Sequence, residues 1–195
     1  MILARKTFFD SSRRVNVAAF GRAGERRAGD VAERDWHCVA AAGRADWHPR
    51  VAELWRYLAM KRPQGGPWRR GDIDPVEIPR LLANIWLFDV VGPPLDFRYR
   101  LVGTKIADSM QADHTGRLLS EVFPDPRASI AEAWTRLEFM VDSGRPTWRN
   151  GPSVAARRET RDSIENLMVP LAGADGRIDM VFGYTVIYRV TGEEF

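Results

Sequence analysis

Histidine and cysteine, the residue types most used for nucleophilic, metal and proton-transfer chemistry, are scarce in this 195-residue chain, which has three histidines and one cysteine. A lone Cys38 makes no internal disulfide and no cysteine-based zinc site. His37 and Cys38 are adjacent, with no second ligand pair to complete a metal shell. His48 stands just ahead of an apolar helical pattern, which leaves His114 as the one histidine in the body of the chain. A Ser-His-Asp set would have to use His114, and no serine or acid is spaced to serve it. Asp108 and Asp113 are close enough for two-carboxylate chemistry, but such pairs are routine on solvated helix surfaces. There is no GxxxxGK[ST], GxGxxG, HExxH or GxSxG motif. We therefore read no catalytic residues, no metal site and no enzyme. What remains is a set of aromatics and methionines at core spacings. The polar tips of Tyr99, Trp134 and Tyr184 need partners once buried, and a bound ligand can supply them.

Composition narrows the class. Hydrophobic residues make up 45% and charged residues 28% of the chain, ordinary values for a globular protein. The longest uncharged runs, 166–174 and 180–188, have nine residues each, half of what a membrane span requires. The first ten residues hold no continuous apolar stretch of a secretory signal, and with the lone cysteine this predicts a reducing cytoplasm and no membrane partner. The net charge of +3 lies entirely in residues 1–46, which hold nine basic and six acidic side chains; residues 47–195 hold twenty of each. We expect two parts: a basic, disordered N-terminal tail over 1–46 and a folded domain over 47–195. Nucleic-acid binding would rest on the arginine-rich tail alone, and is the lesser reading.

The elements that must position these side chains follow from periodicity. Pro49, then Val51, Leu54, Trp55 and Leu58, give an amphipathic helix with one apolar face. Asp74, Pro75 and Glu77 start a short second helix, predicted to reach residue 83 with Ile78, Leu81 and Leu82 inward. Residues 85–91 and 97–102 read as a hairpin, with Phe97, Tyr99 and Leu101 on one side and Arg98 and Arg100 on the other. Short helices follow, one carrying Ile106 and Met110. A longer helix over 127–142 has Ile130, Trp134, Leu137 and Val141 as its stripe. Three strands close the chain, over 147–156, 163–171 and 178–190. In the last of these Met180, Phe182, Tyr184 and Val186 point one way, and Val181, Thr185 and Ile187 the other.

Two strands, a helical crossover and three strands is the order of a PAS domain. The segments 72–80 (DIDPVEIPR), 97–104 (FRYRLVGT), 113–116 (DHTG) and 168–171 (MVPL) together resemble a family of small bacterial PAS-like proteins of uncharacterised function. The resemblance spans about residues 50–190. It implies an α+β fold: a five-stranded antiparallel sheet with a helical crossover on one face, preceded by N-terminal helices. It also implies a non-enzymatic signalling module that senses a small molecule or docks a partner protein. Its ligand cavity would lie between sheet and crossover, lined by Tyr99, Leu101, Ile106, Met110, Trp134, Leu137, Met168 and Tyr184. PAS domains commonly dimerise through an N-terminal helix, which makes Val51, Leu54, Trp55 and Leu58 the candidate homodimer surface. Arg98 and Arg100 are candidates for an acidic protein partner. The identity of any cofactor stays open. A covalent flavin adduct or chromophore needs a core cysteine, and haem an axial histidine on the long crossover helix; neither residue is where it would be needed. The alternative reading is an adaptor with a filled core that works by surface contacts.

Overall fold

A computed structural model describes residues 36–63, 66–153, 163–189 and 191–195. Expectations for residues 1–35, and for the strand ends at 154–156 and 190, lie outside the described residues.

One antiparallel sheet organises the domain. Its strands are β1 (Trp36–Cys38), β2 (Ile85–Val91), β3 (Asp96–Val102), β4 (Thr147–Pro152), β5 (Ser163–Ala172) and β6 (Ile178–Tyr188). They lie in the order β1-β4-β5-β6-β2-β3. The five expected strands are present, with a sixth at the β4 edge. β1 falls within the stretch expected to belong to the tail, so the sheet begins ahead of residue 47. Three residues are too few to show a period of two. β1 is held by pairing with β4 and by Trp36, which is buried with its ring 4.9 Å from that of Phe139.

Both faces of the sheet are covered, the helical crossover lying on one of them as expected. β5 and β6 are apolar on both sides, as strands must be when neither face meets water. Leu167, Val169, Phe182, Tyr184 and Val186 project into one core, and Met168, Val181 and Ile187 into the other. Helix α1 (Pro49–Lys61) covers the first face. Val51, Leu54, Trp55 and Leu58 are its inner stripe, and all four are buried in this core. As a dimer surface the stripe is therefore spent: the domain uses it to close its own sheet. Pro49 occupies the first turn, where an N–H has no helical partner. The N–H of Arg50 donates to His48 Nδ1 at 3.2 Å. The N–H of His48 donates to both carboxylate oxygens of buried Glu165, at 2.9 and 3.1 Å, and Trp148 Nε1 donates to the same carboxylate at 3.0 Å. That carboxylate fastens the start of α1 to β4 and β5.

The predicted helix over 74–83 is instead two 3-10 segments, Pro75–Glu77 and Pro79–Asn84. Asp74 does cap, accepting from the N–H of Val76 at 2.9 Å. Pro79 lacks the N–H that would have continued an α-helical ladder. The tighter winding leaves Leu82 39% exposed, whereas an α-helix would have turned it inward.

The second face is covered by α2 (Thr104–Met110), α3 (Leu119–Val122), α4 (Pro126–Ser129) and α5 (Ala131–Ser143). The expected helix over 127–142 is broken at Ile130, which is buried between α4 and α5. Gly144 ends α5 in the left-handed conformation, with φ 64°.

Candidate functional site

Between the sheet and α2–α5 lies a cavity of about 560 Å³, within the range of small-molecule sites. Trp86, Phe88, Tyr99, Ile164, Met168 and Ile187 line its sheet side. Ile106, Met110, Leu119, Ile130 and Leu137 line its helical side. These apolar walls are interrupted by a polar row that crosses the sheet floor.

The row is set by register. Arg149 on β4 pairs with Asn166 on β5, and Asn166 pairs with Thr185 on β6. Because paired residues share a face, all three side chains reach the cavity. Trp86 joins them from β2, where its register partner is Gly183. A Cβ at position 183 would sit 2.1 Å from the indole ring; glycine is what lets Trp86 lie flat across β6. Its Nε1 then donates to Thr185 Oγ1 at 2.9 Å. Asn166 Nδ2 donates to the same oxygen at 2.8 Å and to the Tyr184 carbonyl at 3.2 Å. Asn84 Nδ2 donates to the Thr185 carbonyl at 2.8 Å.

Two buried arginines stand at the β4 side. Arg136 on α5 is 2% exposed. It donates through Nε to Thr147 Oγ1 at 2.7 Å, and through Nη2 to the carbonyls of Thr147 and Asn166 at 3.0 and 3.1 Å. Arg149 pairs with Glu132 at 2.9 Å and donates to the Pro152 carbonyl at 2.7 Å. Both line the cavity. At the far end β6 runs into Arg189, whose guanidinium lies 5.0 Å above the Phe195 ring. Phe195 returns along β6, its N–H donating to the Ile187 carbonyl at 2.8 Å, and lines the cavity too.

Of the eight residues predicted to line a cavity, Tyr99, Ile106, Met110, Leu137 and Met168 are brought together there. The other three are elsewhere. Leu101 follows a bulge: Phe88 pairs with Tyr99 but Leu87 with Leu101, so the extra residue Arg100 reverses the alternation. Leu101 is turned away and is 41% exposed. Tyr184 has the parity of Phe182 and Val186 and lies on the α1 side, where burial pushes its hydroxyl up to about 12. Trp134 is buried behind the wall, edge-on to Phe97 at 5.5 Å. Sequence reasoning missed Trp86, Asn166, Thr185 and the two arginines. One signal was present: alternation along β6 put Thr185 with Ile187, opposite Tyr184, and only the choice of face was lacking.

The Tyr99 hydroxyl makes no hydrogen bond to any described residue, and burial alone holds it far above the usual phenol range. His114 packs its ring 5.7 Å from that of Tyr99 and stays outside the lining; burial lowers it, with Arg117 adding to the effect. Cys38 is half-buried on β1, also outside the lining. Arg98 and Arg100 are exposed on β3, the latter 3.2 Å from Asp89. Among the described residues no cluster of histidine, cysteine or acid could hold a metal ion, and no helix is long and apolar enough to cross a membrane.

No curated protein matches the chain. Among solved structures, a likeness is found to an RNA-binding Light-Oxygen-Voltage receptor, at 16% identity and a TM-score of 0.39. It covers 62% of this chain and 35% of that one, so the chain spans about a third of that receptor's length. A family model described as PAS domain matches residues 47–186. That match takes in α1, the whole crossover, β2 to β5 and β6 as far as Val186, and so nearly all of the elements around the cavity. The chain belongs to the PAS domain family, whose members are typically sensory and signalling modules.

Proposed function

We propose that this PAS domain is a non-enzymatic sensor that binds a small, mostly apolar organic molecule in the cavity between sheet and crossover, and signals by association with a partner. The observation that carries the reading is the cavity itself. A partly open space of about 560 Å³ between the sheet and α2–α5 is large enough to take a small organic molecule. Its walls combine a large apolar surface with a few buried polar groups, the usual make-up of a ligand site. A molecule bound there touches both β5–β6 and α2–α5. It favours whichever helix arrangement fits it, and so shifts the population between two states. The single cysteine and the modest apolar runs support action in the cytoplasm.

The test is a variant that fills the space. Ala133 lies on α5 and lines the cavity, so Ala133→Trp adds volume without removing core packing. The neutral dye N-phenyl-1-naphthylamine should bind the unaltered chain with saturable, one-to-one fluorescence enhancement. Ala133→Trp should abolish that enhancement while keeping a cooperative thermal transition. Equal enhancement in both proteins would place the dye outside the cavity and remove the support for this reading.

A further inference from the structure

The polar row on the cavity floor has a hydrogen-bond arithmetic that fixes what a ligand must offer. Thr185 Oγ1 has two lone pairs and one proton to give. Both of its acceptor positions are taken. Trp86 Nε1 is a donor only, at 2.9 Å, and Asn166 Nδ2 occupies the second position at 2.8 Å. The orientation of the Asn166 amide is settled by its other contact, because a backbone carbonyl can only accept and the group 3.2 Å from the Tyr184 carbonyl must be the NH₂. Both Nδ2 protons are therefore committed. Left over are the Thr185 hydroxyl proton and the carbonyl oxygen of Asn166, neither of which bonds to any described residue. Thr185 and Asn166 are opposed on β6 and β5, buried, and both line the cavity. A donor and an acceptor thus stand side by side in the polar row, between the buried Arg149 and the apolar face of Trp86. The Asn166 oxygen is open to the cavity, where water or a ligand group can take up the free position.

The geometry points to a ligand carrying an uncharged amide edge, with a carbonyl to accept from Thr185 and an adjacent N–H to donate to Asn166, on a flat apolar body that lies against Trp86 and Phe88. Tyr99, buried and neutral, supplies one more donor in the same space. A carboxylate fits this pair poorly, since its second oxygen would face the Asn166 carbonyl with no proton between them. The arginines beside the row do not reverse that. Arg149 pairs with the Glu132 carboxylate, and Arg136 donates to the Thr147 side chain and to two backbone carbonyls.

This inference rests on the cavity being a ligand site, and the test separates the two. Three probes of one shape are titrated into the full chain by calorimetry: 2-naphthamide, 2-acetylnaphthalene and 2-naphthoate. The first two differ only in NH₂ against CH₃. The amide should bind about tenfold more tightly than the ketone, the size expected for leaving a buried acceptor unpaired, and the carboxylate no more tightly than the ketone. Thr185→Val should cut amide affinity several-fold, and Thr185→Ser should keep it. Equal affinity of amide and ketone would overturn the donor–acceptor assignment while leaving the cavity a binding site. So would tightest binding of the carboxylate, which would hand recognition to the arginines. Binding of none of the three would overturn the cavity reading and this inference with it.

Discussion

At the scale of single residues, two contacts hold the site in shape. Gly183 gives Trp86 the room to cross β6 and reach Thr185. Gly183→Ala should force the indole off the strand and lower stability by roughly 1–3 kcal/mol, the usual cost of overpacking. Urea denaturation checks this: the midpoint should fall with the slope unchanged. An unchanged midpoint would mean that Trp86 is not pinned there. His114 gives a pH signature. Burial lowers its folded value below the ordinary 6.5, so the unfolded chain takes up a proton first as pH falls. Stability from this half-buried neutral imidazole is complete above about 6.5 and is lost progressively towards the lowered folded value. His114→Gln should flatten that part of the acid limb, read from urea midpoints across the same window.

At the scale of elements, much was legible because strong periods survive folding. The stripe of α1, the hairpin of β2 and β3, and the alternation of β6 all follow from spacing. What spacing could not show is where a local irregularity resets it. One extra residue at Arg100 turned Leu101 outward, and Pro79 replaced an α-helix by 3-10 turns. Register across strands is not local either. The row of Arg149, Asn166, Thr185 and Trp86 unites residues up to 99 positions apart, and no single segment announces it. Nor could the sequence show which face each helix would cover. Apolar runs in β5 and β6 signal burial on both sides without saying what lies on each. β1 was hidden by its three-residue length. It should still matter: Trp36→Ala removes a buried indole against Phe139, and a loss of about 3 kcal/mol is expected, measured as a lowered thermal midpoint.

At the scale of the whole molecule, the stripe of α1 decides what kind of association is open. Leu54 is fully buried against the domain's own sheet. Leu54→Asp should therefore unfold the chain at every protein concentration, seen by circular dichroism. A folded Leu54→Asp with a reduced mass in sedimentation would instead return the stripe to an interface. Association is left to other surfaces, and exposed Arg98 and Arg100 on β3 stay the candidates for an acidic partner. The same economy applies to the other face. α2–α5 close over the sheet but leave a large space, and the account stands on that space being occupied by an organic molecule. Native mass spectrometry of the full chain purified from its own host measures this directly. The expected result is a native mass above the denatured mass by one small organic molecule, and no such excess for Ala133→Trp prepared in the same way. Identical native and denatured masses per chain, together with no binding of the neutral dye, would contradict it.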